Sequence, residues 1–146
     1  MLREYSDALG IAYQIRDDLE DLAAGPASAD GFGAPSLLLA LACDRTRGAE
    51  RERVLALWRG ARASADDRTA FRALLGELGV EATARGMLEG YKEQAIRSLP
   101  ALQQASLKGL LRRVVGKVFR VEIKGWCSEF ETRDAAGRQA GAPAAG

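Results

Sequence analysis

Apolar residues recur along the first part of the chain at steps of three and four. Leu2, Tyr5, Leu9, Ile11, Ala12, Ile15, Leu19 and Leu22 predict a helix over about residues 2–24, buried over well more than half of its circumference. Gln14, Asp17, Asp18 and Asp21 follow the i, i+3, i+4, i+7 spacing and are expected to form one polar stripe on that helix. Gly25-Pro26 stops it, because proline lacks an amide donor and disfavours helix in the residue before it. Residues 25–34, punctuated by glycine and proline, read as a loop. Pro35 suits the first turn of a second helix over about residues 35–47, which Gly48 is expected to end. Val54, Leu55, Leu57 and Trp58 among charged neighbours predict an amphipathic helix over about residues 49–63.

Ser64 is a suitable N-cap for a helix of about residues 65–78, with Asp66 and Asp67 at its positive end. Gly79 separates it from a helix of about residues 80–98, and Pro100 opens a last segment. There Leu107, Leu110, Leu111, Val114, Val115, Val118, Phe119 and Ile123 mark a buried face. Beyond Thr132 large apolar groups are too few to fold, so a helical domain of residues 1–132 is expected to precede a disordered tail, 133–146. No alternating apolar run suggests a strand, and the fold class expected is an all-α helical bundle.

Composition removes several kinds of chemistry. The 146 residues contain no histidine, which excludes a Ser-His-Asp triad, a Cys-His pair and histidine-ligated zinc within this chain. Cys43 and Cys127 form no metal-ligand spacing or disulfide framework and read as reduced packing residues. A net charge of +1 gives no overall field favouring nucleic acid or an anionic membrane, so neither partner is implied. The apolar run from Leu37 to Cys43 is too short to span a bilayer, and the N-terminus lacks the apolar stretch of a signal peptide; a cytoplasmic location is expected. Gly109 to Val118 has the wrong spacing for a phosphate loop, with no Ser or Thr after Lys117, and reads as a basic amphipathic helix.

The acidic stripe carries the candidate chemistry. Carboxylates beside a core repel one another and lose hydration, so they require protonation, basic partners or a divalent cation. Carboxylate oxygens suit Mg²⁺, which often bridges protein carboxylates to substrate phosphates. The alternative is a solvated acidic face. Asp66 and Asp67 lack a third aspartate at the same spacing and are assigned to capping. Replacing Asp17 and Asp18 by Asn is expected to be neutral or mildly stabilising without metal, through relief of repulsion.

Tyr13-Gln14-Ile15-Arg16-Asp17-Asp18-Leu19-Glu20-Asp21, preceded by Leu9-Gly10, resembles the second aspartate-rich motif of the trans-isoprenyl diphosphate synthases, the polyprenyl synthetase family. Pro35-Ser36-Leu37-Leu38-Leu39-Ala40-Leu41 is similar to that family's proline followed by a Leu/Ala-rich helix. Leu88-Glu89-Gly90-Tyr91-Lys92-Glu93-Gln94-Ala95 and Leu99-Pro100 resemble its late helix and final segment. The likeness runs over about residues 1–120, in order, and concerns the second half of the isoprenoid synthase fold.

The resemblance implies a Mg²⁺-dependent prenyltransferase. An allylic diphosphate ionises, the double bond of isopentenyl diphosphate attacks the cation, and proton loss leaves a longer prenyl diphosphate. It further implies Asp17, Asp18 and Asp21 as metal ligands, with Asp17 and Asp18 catalytic in that sense. Gln14, Tyr13 and Arg16 would be substrate-binding, Tyr13 beside the prenyl chain. The family's first aspartate-rich motif has no counterpart here, and no lysine precedes Lys92 where the family has one in the loop after the second motif; Arg16, Arg45 or Arg47 would have to compensate. With Met1 so near the motif, the expectation is a fragment, a misplaced start or a subunit completed by another chain. A homo-oligomer or a partner chain completing the bundle follows, with residues 114–130 as a contact surface. Class I terpene cyclases are a less favoured relative, and a non-catalytic helical partner or regulatory subunit of a full-length synthase is the alternative.

Overall fold

In a computed structural model of the protein, residues 2–24 and 35–120 are described, and they contain six α-helices, one 3-10 turn and no strand. The helices are α1 (Leu2–Ala23), α2 (Leu37–Arg45), α3 (Gly48–Gly60), α4 (Ala65–Glu77), α5 (Val80–Arg97) and α6 (Ala105–Phe119), with the 3-10 turn at Leu99–Ala101. The all-α fold expected from periodicity is the fold observed. The expected loop at 25–34, the tail at 133–146, Cys127 and the contact surface beyond residue 120 lie outside the described residues. Among the described residues no helix is long and apolar enough to cross a membrane.

Side-chain chemistry, more than glycine and proline, sets the helix limits. The Ser36 hydroxyl accepts from the Leu39 amide at 3.3 Å, so α2 starts at Leu37 and Pro35 lies ahead of the cap instead of inside the first turn. At the other end the Thr46 hydroxyl donates to the Ala42 carbonyl at 2.8 Å. The Arg47 guanidinium donates to the carbonyls of Asp44 and Thr46, at 2.7 and 2.8 Å, bringing positive charge to the negative end of the helix. Gly48, at φ +56, therefore opens α3 where it was expected to end α2. Ser64 caps α4 as anticipated, its hydroxyl accepting from the Asp67 amide at 3.2 Å. Pro100 falls in the 3-10 turn, and α6 starts later, at Ala105, because buried Leu102 takes an extended conformation between them.

The described residues fall into two compact units, which are taken in turn. In Gly10–Tyr91, α2 packs on α3 and α3 on α4. Ile15 and Leu19 of α1, Leu38 of α2, Val54 of α3, Phe71 and Leu75 of α4, and Val80 of α5 meet in one core. Burying each of the larger of these side chains contributes about 1.5–3 kcal/mol. The turn from α3 to α4 is tight: a Cβ at Gly60 would collide with the Asp67 side chain. The buried Arg68 guanidinium donates to the Ala61 carbonyl at 2.8 Å. Arg45 donates to the Leu78 carbonyl and the Thr83 hydroxyl, clasping the turn that Gly79 makes at φ +63.

The other unit joins residues 2–9 to 92–120. Here the Tyr5 hydroxyl donates to the Leu111 carbonyl at 2.9 Å, and the buried Lys92 ammonium lies 5.4 Å from the centre of the Phe119 ring. Along α1 as a whole the buried arc is narrower than expected. Tyr5, Ala8, Ala12, Ile15 and Leu19 are buried, whereas Leu2 and Ile11 are exposed.

Two outcomes are expected in urea denaturation. Leu75→Ala should cost about 2–5 kcal/mol, and Leu2→Ala no more than about 0.5 kcal/mol. Burial raises the Tyr5 phenol above the ordinary tyrosine value of 10.0. Its stabilising effect is thus fully present below the unfolded value and lost as pH rises through the higher folded one. Tyr5→Phe should flatten that alkaline loss and cost about 1 kcal/mol at neutral pH for the missing hydrogen bond.

Candidate functional site

The polar residues of α1 separate into two groups with different partners. Asp18 is buried at 9% exposure, and both of its oxygens accept hydrogen bonds. Oδ1 accepts from Gln14 Nε2 at 3.1 Å, one turn back on α1. Oδ2 accepts from the Leu37 amide, the first of α2, at 2.8 Å. A carboxylate at this place satisfies an amide that the helix itself leaves open and faces the positive end of its dipole.

Asp17 belongs to the other group. Its Oδ1 accepts from Arg16 Nη2 at 2.8 Å, and Arg16 Nε lies 3.6 Å from Glu20 Oε1. The Arg16 guanidinium also stacks over the Tyr13 ring, 4.3 Å from its centre. The hydrogen bond to Asp17 is the main reason that the Arg16 pKa is raised; burial opposes it, and the charges of Glu20 and Asp17 add to it. Tyr13 is exposed, so this cluster sits at the surface of the helix.

Asp18 and Asp21 line one pocket with Ser36 and Leu38 of the α2 segment, Trp58 of α3, and Phe71 and Leu75 of α4. Its volume is about 20 Å³, room for one water-sized species. Two carboxylates and Ser36 thus share this pocket with two aromatic side chains. Of the residues expected at the site, the pocket gathers Asp18 and Asp21, Gln14 is held to Asp18, and Asp17, Arg16 and Tyr13 form the separate surface cluster.

Among the described residues, no three Asp, Glu, His or Cys side chains form a group able to hold a metal ion. Mg²⁺ commonly keeps several waters and takes only one or two protein carboxylates, so a hydrated ion at Asp18 and Asp21 would have to sit outside a pocket with room for one water-sized species. Arg45 and Arg47, considered as replacements for the loop lysine, are occupied in closing helix ends. Ser36, Trp58 and Phe71 were not foreseen at the site. Ser36 was expected inside the second helix and Trp58 on an amphipathic helix, and nothing in local periodicity brings α3 and α4 to Asp18. No protein-family model, curated protein or solved structure matches the chain.

The hydrogen bonding predicts different outcomes for the two neighbouring aspartates. Asp18→Asn replaces an acceptor oxygen with a donor that faces either the Leu37 amide or the Gln14 amide. It should destabilise the protein by about 1–3 kcal/mol. Asp17→Asn, which weakens a partly exposed ion pair, should cost less than about 1 kcal/mol. Equal midpoints for the two variants in urea denaturation would show that Asp18 is not holding α2.

Proposed function

We propose that this chain is the C-terminal portion of a Mg²⁺-dependent, cytoplasmic prenyltransferase of isoprenoid biosynthesis, condensing isopentenyl diphosphate with an allylic diphosphate. The observation that carries the reading is the meeting of Asp18 and Asp21, from the motif-like Tyr13–Asp21 segment, at an aromatic-walled pocket. The helical fold and the ordered resemblance along residues 1–120 support it. In this reading Asp21 and Asp18 would hold a hydrated Mg²⁺ outside the pocket, whose charge would stabilise a departing diphosphate. Asp18 would stay anchored through Leu37 and Gln14, which fixes the carboxylate without using all of its lone pairs. Trp58 and Phe71 would present apolar surface to a prenyl group. Arg16, turned toward Asp17 and Tyr13, would bind substrate only by exchanging those partners.

One observation favours the second reading, a non-catalytic helical partner or regulatory subunit of a full-length synthase. Asp18 serves the architecture directly, and an acidic residue at that position needs no metal to account for it.

The two readings differ in a thermal melt. For a metal and diphosphate site, Mg²⁺ with inorganic diphosphate should raise the Tm more than Mg²⁺ alone, by an amount corresponding to about 2.7 kcal/mol at a hundred times the Kd. Asp21→Asn is the appropriate variant, because Asp18→Asn disturbs α2 as well; it should remove most of the shift. An unchanged Tm at millimolar Mg²⁺ and diphosphate would overturn the prenyltransferase reading in favour of the partner.

A further inference from the structure

Charge is distributed along this chain less evenly than its net value of +1 suggests. On α1 and α5, basic side chains stand beside carboxylates one turn away: Arg3 with Asp7, Arg16 with Glu20, Arg85 with Glu81, Arg97 with Glu93. Residues 105–120 break that rule. They hold Lys108, Arg112, Arg113, Lys117 and Arg120 and not one acidic residue.

The geometry of α6 sorts these cations. Val115 and Gly116 are buried, and the Leu111 carbonyl accepts from Tyr5, which fixes the inward side of the helix. Ser106, Leu110, Arg113, Lys117 and Arg120, spaced by three and four, are exposed. Lys108 differs, since its ammonium donates to the Pro100 carbonyl at 3.3 Å. Arg113, Lys117 and Arg120 have no carboxylate partner among the described residues. In their midst Leu110 is 49% exposed, the one large apolar side chain of α6 so open to solvent.

We propose that this face of α6 docks the protein on an anionic phospholipid surface. The feature that singles out this partner is one exposed leucine among cations that have no carboxylate partner among the described residues, on a helix with a packed reverse side. Acidic headgroups neutralise the cations, and the leucine can enter the acyl boundary, as on interfacial helices. Each basic residue near such a surface is worth about a fivefold gain in partitioning, falling away within a Debye length. Three of them give about a hundredfold preference for anionic over neutral bilayers, enough for reversible attachment. The attachment is peripheral, in keeping with the absence of a membrane-crossing helix among the described residues. It does not depend on the prenyltransferase reading.

The test is co-sedimentation of the full chain with vesicles of phosphatidylcholine alone and of phosphatidylcholine with phosphatidylglycerol in equal parts. Binding is expected only to the mixed vesicles, and it should be largely lost at high salt. Arg113→Gln with Lys117→Gln should weaken it at least tenfold while leaving the far-ultraviolet circular dichroism unchanged. Should that pair disturb the fold, the single Lys117→Gln serves, with about a fivefold loss. Leu110→Gln should weaken binding severalfold at unchanged charge. Absence of binding to the mixed vesicles, equal binding to neutral ones, or indifference to the charge variants would each overturn the proposal. So would binding of a single-stranded oligonucleotide with the same sensitivity to Arg113 and Lys117 but no retention on vesicles, which would make the face a nucleic-acid surface.

Discussion

A carboxylate removed from water has to be answered by donors, and the answer found by Asp18 organises the Gly10–Tyr91 unit. One oxygen takes the amide of Leu37 and the other takes the side chain of Gln14, so a single acidic residue fixes where α2 begins relative to α1. Once α2 starts there, Leu38, Leu39 and Ala42 are carried into the core with Val54 and Leu75. The same placement brings Ser36 and the aromatic side chains of α3 and α4 to the edge of the carboxylate pair. Architecture and candidate chemistry thus share one side chain.

The helical content was legible because three- and four-residue spacing of apolar positions is a direct consequence of helix geometry. Ser64 was legible as well, since a cap is a local interaction between residues three apart. The ends of α2 were not. Pro35 and Gly48 gave strong local signals, yet the helix starts where Ser36 can accept an amide and stops where Thr46 and Arg47 can cover carbonyls. Backbone punctuation marks where a helix is free to end; a reaching side chain decides among the permitted places. Leu2 and Ile11 illustrate the complementary limit, because an apolar residue promises burial only if another element arrives to cover it.

The acidic stripe was legible as a composition of one helix and not as a site. Successive residues on an α-helix diverge by about 100°, so Asp17 and Asp18 cannot point the same way. The i, i+3, i+4, i+7 pattern treats them as equivalent edges of one stripe, but α1 turns Asp18 inward to α2 while Asp17 stays with Arg16. Nothing in the local pattern distinguishes the two, because the choice is made by elements far along the chain. The cations of α6 show the same thing in reverse: the helix that carries them is bonded to Tyr5, more than a hundred residues earlier in the chain.

α2 has nine residues, shorter than the length at which an isolated helix holds its shape in water. Its first amide is bonded to an aspartate nineteen positions upstream, and its last carbonyls are covered by the arginine that follows it. The helical state of this segment is therefore conditional, a property of its surroundings more than of its own residues. Cut out as a peptide it would be mostly coil. The nine residues that carry part of the core are, in this sense, borrowed structure: they hold a conformation lent to them by α1 and return it when that neighbour lets go.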